Sequence, residues 1–174
     1  MSPSGARLAR LSPSSLTDEQ RAVYDDIVGG RRTQGPQLFR VVDESGGLEG
    51  PFNAFLLQPR LGGPLETLGA AVRYETSLSD RVRELAILVV ALHWDSAFEW
   101  YAHEAVARHV GVSADEFAAL REQRWESFDA VEGVVVRVSA SLVADGDLDD
   151  RAYEQALATL GPAGLFELLT LVGY

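Results

Sequence analysis

The feature that most constrains this sequence is an apolar run that follows directly on an acidic residue. Residues 85–92 are eight apolar side chains in succession, within a segment predicted as a helix from 81 to 93. A run of more than two turns without a polar face is typical of a helix that is buried on most sides. Glu84 stands immediately before the run, and charged side chains are almost never fully buried unless they are paired. A partner for Glu84 is therefore expected elsewhere in the chain.

A second predicted helix, beginning near Ser96, supplies the candidate partners. Glu99 and His103 are four residues apart, so the carboxylate and the imidazole share one helix face. The face is otherwise apolar, which marks it as the inward face; its other members are Phe98, Ala102, Val106 and Val110. The sequence therefore predicts a cluster of Glu84, Glu99 and His103 between two helices.

Three interpretations of this cluster remain open from the residues alone. A carboxylate that accepts from one ring nitrogen of a histidine fixes its tautomer and leaves the other nitrogen for acid–base chemistry. A buried polar network could instead serve only to fix helix packing. A metal site is the third interpretation, but helical di-metal sites usually place Glu-x-x-His on each of two helices, and neither His93 nor His109 stands at a matching position. We expect no metal and no cofactor.

The absence of two residue types excludes several reaction classes. The 174 residues include no cysteine, and all 15 basic residues are arginine. Thiolate nucleophiles, redox CxxC motifs and cysteine-ligated metals are therefore excluded. Without lysine the chain cannot form a Schiff base or contain a P-loop lysine.

Charge and hydropathy restrict the expected partners. The net charge is −11 and no basic stripe is visible, which argues against binding to nucleic acid or to anionic membranes. The longest uninterrupted apolar run is well short of the ~18 residues expected of a membrane span. The N-terminus has two arginines but no following apolar stretch, so it does not resemble a secretory signal. A cytoplasmic protein that binds a small molecule is the expectation.

The rest of the chain indicates an all-α fold. Residues 1–16 are rich in Ser, Pro and Arg and predict a flexible arm, and residues 17–174 predict a single helical domain. Capping boxes begin helices at Thr17 and Ser113. The segment 38–42 is interpreted as loop because it has no strand partner. The last helix is apolar to its end, which predicts either a subunit contact or a further tail. The other predicted helices cover about 51–58, 65–74, 128–144, 149–160 and 165–174.

Two segments carry a family resemblance. Residues 83–88 and 98–104, followed by Ala107 and Gly111, resemble the carboxymuconolactone decarboxylase family, which shares its fold with the alkylhydroperoxidase AhpD. The resemblance implies an AhpD-like helical domain built round a central helical hairpin. It also implies a homo-oligomer, either a trimer or a hexamer.

The resemblance also bears on the reaction. The redox branch of that family carries a Glu, a CxxC and a His, which correspond here to Glu84, Ser96 with Glu99, and His103. With both cysteines absent, thiol peroxidase chemistry is excluded. The chain is then similar to the cysteine-free branch, which implies a decarboxylase-like lyase that acts on a small carboxylated lactone or related ring in aromatic degradation.

Each candidate residue then receives an expected role. His103 would deliver the proton, Glu99 would orient His103, and Glu84 would hold or share a proton across the pocket. Three further residues are expected to contact the substrate: Arg81, Ser96 and Trp100. The alternative is a non-catalytic oligomeric binding protein that keeps the polar network for packing.

Overall fold

The fold is all-α, as predicted. A computed structural model describes residues 8–34 and 36–174. Helices make up 70% of the chain and no strand occurs within the described ranges, so the predicted fold class is confirmed. The helices are α1 (Asp18–Gly29), α2 (Pro51–Phe55), α3 (Pro59–Tyr74), α4 (Asp80–His93), α5 (Ala97–His109), α6 (Ala114–Arg121), α7 (Ala130–Asp145) and α8 (Asp150–Gly173).

The chain divides into two compact units, residues 1–71 and 72–174. In the first unit, α1 begins at the predicted capping box, in which the Thr17 hydroxyl accepts from the Gln20 amide and the Gln20 side chain accepts in return. The segment 38–42 forms one isolated bridge, between Val42 and Leu48, and otherwise remains loop as predicted. The core of this unit consists of Val23, Ile27, Val41, Leu48, Phe52 and Leu56.

The described part of the predicted arm is attached to the first unit. The buried Asn53 amide accepts from the Leu11 backbone N–H at 2.9 Å and donates to the Ala9 carbonyl at 3.1 Å. Arg10 pairs with Asp43 at 2.7 Å, and the Ser45 hydroxyl together with this guanidinium holds the pKa of Asp43 well below its usual range. The predicted flexibility of residues 1–7 lies outside the described residues, and the single-domain assignment of 17–174 stays a prediction.

The second unit is organised around α4. Ser79 caps this helix by accepting from the Val82 amide, and α4 packs against α5, α7 and α8. Its apolar run is buried as the sequence indicated: Leu85 and Leu88 face α6 and α7, and Ala86 faces α7 and α8. Because other helices pack against α4 on most sides, the Glu84 side chain on this helix is also buried.

Two helix boundaries differ from the predicted ones. Helix α3 begins at Pro59, six residues before the predicted start, because proline suits a first helical turn; Pro64 is then accommodated inside the helix. The two helices predicted after residue 149 both lie within α8 and meet at a kink, where Gly161 has φ 69° and ψ 172°. A left-handed φ of this kind favours glycine, so the break lies where the sequence changes from one helix to the next.

One described helix, α8, is long and apolar enough by length and composition to cross a membrane. The expectation that no such segment exists was based on uninterrupted apolar runs, and it missed this helix. The break at Gly161 leaves two straight pieces, each shorter than the ~20 residues of a span. Leu165, Leu168 and Leu171 of the second piece lie in the protein core.

Candidate active site

The site begins with a buried carboxylate on α4. Glu84 is only 1% exposed and lies one turn into a helix whose next residues form the core. An unpaired carboxylate at such a position would cost several kcal/mol in desolvation. The structure must therefore supply a hydrogen-bond donor to this carboxylate.

That donor is His103 on α5. Nδ1 of His103 lies 2.6 Å from Oε2 of Glu84, and the histidine side chain is 11% exposed. The tight turn between the two helices sets this contact: Asp95 adopts a left-handed φ of 48°, and the Ser96 amide donates back to the Ala91 carbonyl. The turn thereby folds α5 back onto α4, which brings together two residues 19 positions apart.

The second carboxylate lies on the other side of the imidazole. Oε2 of Glu99 is 3.4 Å from Nε2 of His103. The two side chains are therefore neighbours on one helix face, as their four-residue spacing predicted. The Glu99 side chain is 38% exposed, so it connects the buried pair to solvent. The imidazole is therefore flanked by a buried carboxylate at Nδ1 and a half-exposed carboxylate at Nε2.

This geometry differs from the expected arrangement of the two acids. The sequence predicted that Glu99 orients His103 and that Glu84 lies across the pocket. The short buried contact comes instead from Glu84, because the α4–α5 crossing aims that carboxylate at Nδ1. The longer and more exposed contact comes from Glu99. All three predicted catalytic side chains are nevertheless brought together.

Arg81 does not join this cluster. Its guanidinium donates to Glu132, to Glu116 and to the Gly111 carbonyl, which ties α4 to α6 and α7 and to the end of α5. The hydrogen bonds that Arg81 donates to Glu132 and Glu116 raise the pKa of Arg81 well above its usual value. The sequence placed Arg81 near the Glu84 face by helical spacing, but its long side chain reaches towards the other helices.

Ser96 and Trp100 occupy structural positions. The Ser96 hydroxyl caps α5 by accepting from the Glu99 amide at 3.4 Å. The Trp100 ring packs edge-on against Phe117 in the core of the second unit, and its Nε1–H donates to Glu104 at 2.5 Å.

Arg83 is a buried charged group to which the sequence assigned no role. It is 7% exposed, donates to the Leu78 carbonyl and pairs with Asp80, and its Nε–H has no partner in the described chain. The sequence signal that could have identified Arg83 as buried is its position directly before Glu84 and the apolar run. In the described ranges no group of three His, Cys, Asp or Glu side chains is arranged to bind a metal ion.

The sequence model of the carboxymuconolactone decarboxylase family matches residues 59–138. The matched segment is similar to that family over somewhat less than half of the 174-residue chain. This match confirms the resemblance seen in the sequence, and the matched range contains all six predicted site residues. No curated protein and no solved structure is significantly similar to the chain.

Proposed function

We propose that the protein is a cofactor-free acid–base enzyme, a decarboxylase-like carbon–carbon lyase that acts on a small carboxylated lactone or a related ring. The observation that carries the proposal is the 2.6 Å contact between Glu84 and His103, with Nε2 of the same imidazole facing a half-exposed carboxylate. The family match over residues 59–138 supports the reaction class. The absence of cysteine removes the thiol chemistry found elsewhere in this fold.

The two carboxylates would have unequal roles. Ionised Glu84 can only accept, so it favours the tautomer in which Nδ1 carries the hydrogen, and it fixes the ring plane. Nε2 then becomes the atom that exchanges a proton with the substrate. Glu99, which is more exposed, would return the proton between Nε2 and solvent after each turnover.

The proposed step balances without a cofactor. The bond between the ring carbon and the carboxylate breaks, CO2 leaves, and the electron pair moves into the conjugated carbonyl of the substrate. The protonated Nε2 of His103 then donates its hydrogen to the same carbon. His103 returns to its protonated form by taking one proton from solvent through Glu99.

Charge in the site would favour the loss of CO2. Two carboxylates, those of Glu84 and Glu99, flank the imidazole of His103. A bound substrate carboxylate would therefore lie beside two acidic groups, and this repulsion would disappear as neutral CO2 forms. We accordingly assign no substrate-binding role to Arg81, whose guanidinium is engaged by Glu116 and Glu132.

The direct test is release of CO2 from carboxymuconolactone, followed together with the change in absorbance. The wild-type protein should release CO2 well above the uncatalysed rate, and His103→Ala should abolish this release while the fold is retained. The matched control is His109→Ala, which removes an exposed histidine from the same helix and should leave turnover unchanged. Equal turnover in His103→Ala and the wild type would remove His103 from the mechanism.

A non-catalytic role is the second candidate, and it is favoured by one observation. Glu84 and His103 are 1% and 9% exposed, which is also what a network that only fixes α4 against α5 would show. In that case Glu99→Gln would lower the melting temperature strongly and no ligand would stabilise the protein. Elemental analysis of gently purified protein tests the metal-dependent alternative. The homo-oligomer, the cytoplasmic location and the absence of nucleic-acid and membrane partners stay predictions.

A further inference from the structure

A groove between α7 and α8 lies apart from the three residues of the candidate active site. Its volume is about 290 Å³, and none of its lining residues belongs to α4 or α5. Its polar lining comes from Arg137 and Ser141 on α7 and from Arg151 and Gln155 on α8, with Asp149 at the start of α8. We call it the α7–α8 groove.

The two arginines of this groove are unusual within the protein. Throughout the described ranges, Arg137 and Arg151 are the arginines that make no hydrogen bond, ion pair or ring contact. The chain has 26 acidic residues against 15 basic ones, so carboxylate partners are plentiful. Two guanidinium groups without a partner in the described chain therefore line one groove.

The remaining polar groups add donors to the groove. The Ser141 hydroxyl and the Gln155 side-chain amide make no hydrogen bond within the described part of the chain, so each can donate to a ligand. Asp149 is the opposing charge in the lining, and Asp145 and Asp147 line the adjoining pocket, which shares Ser141 and Asp149 with the groove. Oδ1 of Asp149 accepts from the Ala152 amide at 2.7 Å and caps α8, so part of its acceptor capacity is already used.

We infer that the α7–α8 groove binds a small, doubly charged oxyanion, either a phosphate group or a dicarboxylate. The planar guanidinium presents paired N–H donors that match the oxygens of phosphate and carboxylate groups. Two guanidinium groups provide two positive charges, which balance the two negative charges of the ligand. A volume of about 290 Å³ is large enough to admit a ligand of this size. The inference does not depend on the proposed decarboxylase activity, because it concerns other helices and is tested by binding alone.

The test is a titration of isotope-labelled protein with inorganic phosphate and, separately, with succinate, followed by amide resonances. The expected result is a saturable shift at Ser141, Arg151 and Gln155, and the tighter of the two probes identifies the source of the oxyanion. Arg137→Gln and Arg151→Gln should each weaken binding about ten-fold. Arg108→Gln makes the same change in net charge on α5 and should leave the affinity within about two-fold of wild type.

Asp149→Asn provides a test in the opposite direction. Asparagine retains the helix cap but removes the negative charge, so phosphate should bind about three-fold more tightly. Shifts that do not saturate, or an affinity that Arg137→Gln, Arg151→Gln and Arg108→Gln lower equally, would overturn the inference and leave only non-specific charge attraction. Weaker binding in Asp149→Asn with an intact fold would also overturn it.

Discussion

Oε2 of Glu84 lies 2.6 Å from Nδ1 of His103, and both side chains are buried between α4 and α5. Glu99 contacts the other ring nitrogen at 3.4 Å from a half-exposed position. One imidazole thus has two carboxylate neighbours that differ in burial. In the proposed mechanism the buried Glu84 orients the ring and the half-exposed Glu99 exchanges protons with solvent, and a comparison of matched variants tests this assignment.

We first predict unequal effects of Glu84→Gln and Glu99→Gln on stability. Glu84→Gln should lower the free energy of unfolding by about 1–3 kcal/mol, because it weakens a buried, charge-assisted hydrogen bond. Glu99→Gln should lower it by less than about 1 kcal/mol, because that contact is long and half-exposed. Urea denaturation of the two variants measures the difference. Equal losses would mean that burial does not distinguish the two acids.

A second prediction concerns the tautomer of His103. Because Glu84 accepts from Nδ1, the neutral ring should carry its hydrogen there. Long-range nitrogen–hydrogen correlation spectra should show a protonated Nδ1 in the wild type and a mixture of tautomers in Glu84→Gln. His93 and His109 are exposed and serve as internal controls. A neutral wild-type ring that carries its hydrogen on Nε2 instead of Nδ1 would contradict the role of Glu84 in fixing the tautomer.

A third prediction separates packing from substrate contact at Trp100. Trp100→Phe retains an aromatic ring against Phe117 but removes the hydrogen bond to Glu104, so stability should fall by about 1–2 kcal/mol. Turnover of the folded variant should equal that of the wild type. A large rise in KM at unchanged stability would show instead that Trp100 contacts substrate, as the sequence suggested.

A fourth prediction concerns the ion pairs of Arg81. Arg81→Gln should destabilise the protein by about 1–2 kcal/mol, because it leaves Glu116 and Glu132 unpaired at a partly buried junction of helices. The matched variant Arg108→Gln removes a more exposed guanidinium and should cost less than about 1 kcal/mol. Thermal denaturation of both variants checks the ranking, and the reverse order would contradict it.

The pH dependence of this junction gives a fifth prediction. Burial by itself raises the pKa of Glu116, but hydrogen bonds from Ser113 and from Arg81 outweigh it, so the pKa is lowered in the folded protein. Its stabilising contribution is therefore fully present above the unfolded value of about 4.3 and is lost as the pH falls through the lower folded value. The stability difference between wild type and Glu116→Gln should thus shrink below about pH 4.3. Urea midpoints at several pH values measure it, and a constant difference would contradict the assignment.

The sequence by itself determined the helical class and the candidate cluster. The apolar run 85–92 required a buried helix, and the capping boxes at Thr17 and Ser113 fixed the starts of two others. The four-residue spacing of Glu99 and His103 placed both side chains on one helix face. These features depend on the helical period and on local hydrogen bonds, which a sequence encodes directly. The missing cysteines and lysines likewise excluded whole reaction classes without any structure.

Only the tertiary structure decided which carboxylate makes the short, buried contact with the histidine and which predicted residues lie elsewhere. Glu84 and His103 are on different helices, so their contact depends on the turn at Asp95 and on the crossing of α4 and α5. Arg81 has enough side-chain length to reach several helices, and its partners on α6 and α7 are 35 and 51 residues away. Helical periodicity sets directions around one axis, whereas contacts between helices depend on how those axes pack together.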